Sequence, residues 1–319
     1  MTYDRLVGFG EAMLRLSVPP GGSLETAHSL NATVGGAELN GLIAAARTGM
    51  PATWISAVPD DARGRLVLRH ARANGVAPAP VFDAGRSQRL GVYFLEMATS
   101  PRPQRIIYDR RQSAFATLDA DAIRWQDHLT DTSCLYLTGI TPPLGDGPHT
   151  ALEDAIRVAR EVGATVALDV NYRATLWSRD EASAWLQTIL HDVDILSASV
   201  GDLESVGVTG PDIPATAIDA FALRALITTT KRSTGGEVEI EACALTSTEQ
   251  TRHRARVVVV DPVGAGDALF GTFLAWLPRT SLDQAVEAAL GAAVSCYGLM
   301  GDALTVEAWS ADDPKGVVR

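Results

Sequence analysis

The chain has 319 residues, a formal net charge of −11 at neutral pH and 46% hydrophobic residues. This is the composition of an ordinary globular protein of one large or two small domains. The acidic balance argues against a nucleic-acid binder and requires local cations for any anionic substrate.

The N-terminus, "MTYDRLVGFGEAMLRL", carries acids and glycines where a signal peptide needs an apolar core. Residues 12–36 read as short strands joined by turns, with no helix between them. Residues 88–114 read the same way, as a hairpin with "TSPRPQ" at its tip. Both segments are expected to be antiparallel strands projecting from a main sheet and forming a lid. From about residue 130 the pattern changes to β-rich runs alternating with helical ones. "CLYLTGI" (134–140) is a predicted strand, "ALEDAIRVAREVG" (151–163) an amphipathic helix closed by Gly163, and "ATVALDV" (164–170) the next strand. Ser178 stands three residues before Glu181, the spacing of a capping box ahead of another helix. Strands are expected at 193–199, 225–230 and 255–260, followed by helices from the "GAGD" stretch and over 281–298. The alternation predicts a parallel sheet covered by helices, with ligands gathered beyond the carboxyl ends of its strands. No linker divides the chain, and no apolar run approaches transmembrane length. The three scattered cysteines, Cys134, Cys243 and Cys296, give neither a metal-ligand spacing nor a disulfide framework, which points to a reducing cytoplasm.

The stretch "VVVVDPVGAGDALFGTFLAW" (257–276) places glycines between a β-branched run and an apolar helix. A dinucleotide fingerprint needs a sixth-position Gly and a following strand; here Leu269 and a second helix stand in those places. A phosphate site fits better. Gly264, Ala265 and Gly266 leave N–H groups free at a helix N-terminus, where the dipole also favours an anion. A carboxylate at the same mouth, Asp267, would repel phosphate unless it serves as a base. It could take the proton of a hydroxyl attacking a γ-phosphoryl group while the hole holds the transferred charge. An ionised carboxylate of ordinary pKa suffices, because the alcohol loses its proton late. From position alone, a first-turn acid stabilised by the helix dipole is an equal reading.

"DPVGAGDALFGTFLA" resembles the signature of the ribokinase-like, or phosphofructokinase-B type, sugar kinases, and the resemblance extends over nearly the whole chain. "GGAELNGLIAAARTG" (35–49) resembles their N-terminal Gly-Gly signature. "GEAMLRLSVP", "YDRRQSA", "LTGITP" and "LDVNYRATLWS" resemble stretches of the 2-keto-3-deoxygluconate kinases among them. The resemblance implies a three-layer α/β/α sandwich with a mostly parallel sheet and a small β-lid. It implies transfer of phosphoryl from ATP, with Mg²⁺, to a primary hydroxyl. Asp267 would be the base and Gly264, Ala265 and Gly266 the anion hole. Gly36, Ala37, Glu38 and Asn40 would line the sugar pocket, with Tyr93 and Tyr108 from the lid. Arg110 would face the substrate, Arg173 would lie near substrate and nucleotide, and Asp302 would contact the sugar. Asn171, Ser199, Lys231 and Gly236 fall on the nucleotide side. Arginines suit a keto acid, since guanidinium binds carboxylate by paired hydrogen bonds.

Taken singly, each residue has a plainer reading. Arg110 and Arg111 could be a solvated edge pair, Gly35 and Gly36 a tight turn, and Asn171 and Arg173 a loop cap. Four positions depart from the family pattern. Ser199 and Asp202 replace an Asn and a Glu that order Mg²⁺ through water. Ser233 stands for a nucleotide-loop glycine, and is costly if that position needs positive φ. Asp109 replaces an aromatic residue beside the substrate. The leading expectation is an ATP-dependent kinase for O6 of 2-keto-3-deoxygluconate or a close sugar acid. The rivals are a kinase for a neutral sugar such as fructose or ribose, and a non-catalytic sugar- or nucleotide-binding regulator on the same fold. No nucleic-acid or membrane partner is expected. Lid strands carrying Val92, Phe94, Ile106 and Ile107 leave edges that a second copy would cover.

Overall fold

The computed structural model describes residues 2–82, 88–98, 102–234 and 236–305. Half of the expected hairpin tip, residues 99–101, lies outside them. In chain order come β1 (Arg5–Phe9), β2 (Met13–Ser17), β3 (Asn31–Gly35), α1 (Ala37–Arg47), β4 (Ala52–Ala57), α2 (Ala62–Ala73), β5 (Val76–Val81), β6 (Val92–Glu96) and β7 (Arg105–Asp109). The second part holds β8 (Ser133–Thr138), α3 (Asp146–Val162), β9 (Thr165–Asp169), α4 (Arg179–Ile189), β10 (Ile195–Ser197), α5 (Val200–Ser205), α6 (Ile213–Phe221), β11 (Ala225–Thr234), β12 (Glu237–Leu245), β13 (Gln250–Val257), α7 (Ala265–Trp276) and α8 (Leu282–Tyr297).

The main sheet has nine strands in the order β13-β12-β11-β10-β9-β8-β1-β4-β5. All neighbours from β11 to β5 pair in parallel. The chain leaves β1 toward β4 and later returns on its other side as β8, so a topological switch point opens between β1 and β8. The alternation read from residue 130 onward therefore extends back through β1, β4 and β5. Strand residues alternate between two cores. Leu6, Cys134 and Tyr136 face the layer of α1, α2, α7 and α8. Val7, Leu135 and Leu137 face the layer of α3 to α6. Caps fix where the helices start: Ser178 and Glu181 form the expected capping box of α4, and Ser281 with Gln284 forms another on α8.

Two expectations change at the sheet's far edge. The run 225–230 continues to Thr234 and turns into an antiparallel hairpin, and β13 pairs antiparallel to β12 rather than extending the parallel series. The strand expected over 255–260 ends at Val257, whose partner Val238 is next to the start of β12. Beyond it Val258 is 63% exposed and Val260 N–H bonds the carbonyl of Tyr297. The β-branched run is thus a connection running beside the end of α8.

The segments 12–36 and 88–114 supply a separate sheet of four strands, β3-β2-β6-β7. Its outer pairs are antiparallel, as expected, but β2 and β6 run parallel. Helices α1 and α7 meet backbone to backbone: a Cβ on Gly271 would stand 2.0 Å from the carbonyl oxygen of Gly41. A methyl group there cannot be accommodated without moving one helix. Gly271→Ala is expected to lower stability by about 1–3 kcal/mol, read as a lower urea midpoint at unchanged slope; an unchanged midpoint would refute this packing argument.

Candidate active site

The carboxyl ends of β8 to β11, the N-termini of α1 and α7, and one face of the small sheet enclose a cleft of ≈ 440 Å³. Gly264 opens α7 in the left-handed conformation, φ +84°, with no side-chain cap. A Cβ on it would lie 1.7 Å from the carbonyl oxygen of Asp302, so only glycine fits. The first helical bond runs from Ala268 N–H to Gly264 O at 2.8 Å. The N–H groups of Ala265, Gly266 and Asp267 are left at the open end of the helix, beside the positive end of its dipole. Ala265 packs its methyl inward, whereas Gly266 borders the cleft with open space on its outer side.

Asp267 faces this space while only 8% exposed. Asn40, on α1, donates its amide to Asp267 Oδ2 at 2.9 Å. Asn171, held at φ +40° after β9, donates to Asp267 Oδ1 at 3.4 Å and to Asp169 Oδ2 at 3.2 Å. Burial raises the Asp267 carboxyl to about 6, against the lowering pull of the Asn40 bond and of Arg173. The ordinary carboxylate expected from sequence is therefore a shifted one. Asp169 is raised to about 7, first by burial and then by the charge of Asp267. The cleft thus holds two interacting carboxyls at its base.

The remaining expected residues fall into three groups. Gly36, Ala37, Asn40, Tyr93, Tyr108, Arg110, Asn171, Arg173, Ser199, Asp202, Lys231 and Asp302 all border the cleft with Asp267. Glu38 does not. It is 1% exposed and accepts hydrogen bonds from Thr138 at 2.8 Å and Thr141 at 3.0 Å. The helical turn explains it: positions 37 and 40 share the cleft side of α1, and position 38 is rotated toward the end of β8. Burial raises this carboxyl to about 7. Gly236 is also outside the cleft lining, exposed at the turn of the β11–β12 hairpin.

The structure bears on several of the plainer readings. Gly36 is extended, and a Cβ would stand 2.3 Å from the carbonyl of Glu11, so crowding rather than a turn requires glycine. Arg110 is 9% exposed and paired: its Nε lies 2.7 Å and its Nη2 2.6 Å from Glu11 Oε2. Ser113 donates to the other oxygen of Glu11 at 2.6 Å. Arg110 is neither a solvated edge residue nor an unpartnered clamp. Arg173, by contrast, is exposed; its carbonyl accepts from Leu176 N–H at 2.9 Å, but its side chain forms no hydrogen bond or ion pair among the described residues, though it acts electrostatically on Asp169 and Asp267. Lys231 lies with its ammonium 5.6 Å from the ring centre of Tyr297. Tyr93 and Tyr108 are cross-strand neighbours with ring centres 5.7 Å apart. Asp302 has both oxygens engaged, one by Arg15 and one by the Tyr93 hydroxyl. Asp109 points away from the cleft and pairs with Arg89. Ser199 and Asp202 form the capping box of α5, with Ser199 Oγ donating to Asp202 Oδ2 at 2.7 Å. Ser233 lies in β11 opposite Val238 and outside the left-handed region, so its place in the loop carries no strain.

Four contributors were not singled out from sequence. Asp169 had a signal, as an acid ending a strand at the ligand side of a parallel sheet. Arg15 had a weaker one: in "MLRLS" it shares the buried face with Met13 and Ser17. Glu11 and Asp261 had none, since their partners are distant in sequence.

The sequence profile of the pfkB family carbohydrate kinases matches residues 4–308. The chain is 35% identical over 296 residues to a 2-dehydro-3-deoxygalactonokinase of Haloferax volcanii, covering 89% of this chain and 87% of that protein. It is 30% identical to the crystal structure of a 2-dehydro-3-deoxygluconokinase of Thermotoga maritima, with a TM-score of 0.87 and 94% of each chain covered. At 19% identity, the fold is shared with an E. coli ribokinase II-type protein solved with ATP and Mg²⁺, with a TM-score of 0.79 over 94% of each chain.

Because burial raises the Asp267 carboxyl to about 6, the folded chain binds that proton more tightly than the unfolded chain does. Ionising it costs stability, so this contribution is present at low pH and is lost as pH rises through about 6. Asp267→Asn removes the cost. The variant's stability relative to the parent is expected to rise between pH 4 and pH 7 in urea titrations, and a constant or falling difference would contradict the burial argument.

Proposed function

The chain belongs to the pfkB family of carbohydrate kinases, and on that premise we propose that it transfers the γ-phosphoryl group of ATP to O6 of 2-keto-3-deoxygluconate, its galacto epimer or a close sugar acid. The observation that carries this reading is the junction at α7. A carboxylate steered by two Asn amides sits beside three backbone N–H groups with no partner within the helix. In this reading the attacking hydroxyl lies against Asp267. As its oxygen bonds to the γ-phosphorus and the bond to the leaving ADP breaks, the hydroxyl proton passes to the carboxylate. The N–H groups of Ala265, Gly266 and Asp267 hold the charge spread over the transferred group. A carboxyl raised to about 6 is still largely ionised at neutral pH and is a stronger base than a solvated aspartate.

The cations divide the remaining work. Arg173 is free to meet the sugar-acid carboxylate or the nucleotide phosphates, and Lys231 stands on the nucleotide side. Arg110, oriented by Glu11, keeps its Nη1 side for the ligand. Among the described residues no group of three or more His, Cys, Asp or Glu side chains could hold a metal alone. Mg²⁺ keeps several waters and takes one or two carboxylates along with phosphate oxygens. Asp202 fits this role, since among the described residues its Oδ1 is paired with Arg179 alone, at 3.6 Å. Bound with ATP there, the ion would neutralise phosphate charge. The similarity to sugar-acid kinases and the free Arg173 support an acidic substrate. Glu11 supports the second reading, a neutral sugar, because Arg110 already has its carboxylate.

Coupled ADP release should be measured with ATP and Mg²⁺ against 2-keto-3-deoxygluconate, its galacto epimer, gluconate, fructose and ribose. Turnover confined to the keto acids is expected; turnover on fructose or ribose instead would discard the sugar-acid assignment. Asp267→Asn should lose about 10²–10⁴-fold in kcat while retaining ATP binding, and near-parent turnover would remove Asp267 as the base. With the parent enzyme kcat/KM should fall as pH drops below about 6, as the base becomes protonated.

A further inference from the structure

Arg15 is 1% exposed and lies between two carboxylates that are themselves buried, Asp261 at 0% and Asp302 at 4%. Its Nη2 bonds Asp261 and its Nη1 bonds Asp302. The three residues come from separate parts of the chain: β2 of the small sheet, the connection ahead of α7, and the segment after α8. Arg15 is not one of the residues bordering the cleft, so it meets no ligand there.

Both of its partners bear directly on the phosphate hole. Asp261 Oδ1 accepts from Val263 N–H at 3.1 Å, and Oδ2 accepts from Gly301 N–H at 3.1 Å. Its carboxylate therefore joins the connection that becomes Gly264 to the segment that becomes Asp302. The backbone of Asp302 in turn lies against Gly264 and leaves room for nothing larger. Two uncompensated carboxylates here, in addition to Asp267, would place negative charge beside the N–H groups that must receive phosphate. One planar guanidinium can grip both, with a separate nitrogen for each; an ammonium is a single point charge and cannot reproduce the fork.

We propose that Arg15 is the positioning residue of the anion hole: by holding Asp261 and Asp302 together it fixes the turn at Gly264 and offsets carboxylate charge that would oppose the nucleotide's phosphates. The inference rests on the phosphoryl-transfer reading of the cleft, but nucleotide binding without sugar tests it separately from turnover.

Calorimetry with ATP and Mg²⁺ should show Arg15→Ala binding at least about tenfold more weakly than the parent. Guanidinium chloride, kept well below denaturing concentration, should restore most of that affinity, and an equal concentration of sodium chloride should not. Arg15→Lys should fold, bind ATP with intermediate affinity and lose about tenfold or more in kcat, with the KM for the sugar little changed. Parent-like ATP affinity in Arg15→Ala would overturn the proposal. So would a folded Arg15→Ala whose weak binding guanidinium leaves unchanged or sodium chloride restores equally. Should Arg15→Ala fail to fold, Arg15→Lys decides: parent-like ATP affinity and kcat would overturn it. If no sugar in the panel turns over, yet Arg15→Ala loses ATP affinity and guanidinium restores it, the substrate assignment fails while the role of Arg15 stands.

Discussion

A carboxyl buried at the N-terminus of a buried helix is the constraint to which the rest of the site answers. Desolvation disfavours the ionised form of Asp267, and the helix dipole and the Asn40 and Asn171 amides favour it. Those amides arrive from different layers. Asn40 comes with α1, which can approach α7 only because Gly41 and Gly271 touch backbone to backbone. Asn171 comes from the end of β9, in a left-handed conformation that aims its side chain between Asp169 and Asp267. Helix packing, strand order and the chemistry of one carboxyl are therefore a single problem.

The second constraint is charge. The described cleft gathers Asp169, Asp202, Asp267 and Asp302 around the N-terminus of α7. The fold answers by pairing its cations inward where shape matters and leaving them open where ligands are expected. Arg15 and Arg110 are buried and fixed by Asp261, Asp302 and Glu11. Arg173 and Lys231 remain exposed. A buried pair is expensive to break once one partner is lost, so these joints hold geometry more than they add net stability.

Much of this was legible from sequence, for reasons that can be named. The "GAGD" stretch is readable because the need for a glycine at a helix start and for a first-turn acid is local. The capping box at Ser178 and Glu181 is local in the same way. The edge of the sheet was harder. Val257 to Val260 look like a strand by residue type, but a strand needs a partner, and β12 supplies none beyond Val238. Glu38 was misplaced because a family motif does not carry the rotation of a helix. Arg110 was read as a free clamp because its counter-ion, Glu11, lies far away in the chain, where no spacing rule reaches. Ser233 was read as a possible source of strain that its strand conformation does not impose.

The grip of the small sheet on the core has a mechanical side. Arg15 on β2 and Tyr93 on β6 both hold Asp302, and they are opposite one another in the parallel register of those strands. A swing of the whole small sheet as one body would strip two buried aspartates of their cation, at a cost of several kcal/mol. β7 is held differently: Ile107 and Tyr108 are each 40% exposed and Asp109 pairs with Arg89 near the surface, but Arg110, just beyond its end, is buried and pinned to Glu11. The inner strands are therefore tied to the floor of the cleft at Asp302, and the outer strand is tied beside it at Glu11, so the small sheet meets the main body through two separate buried ion-pair joints.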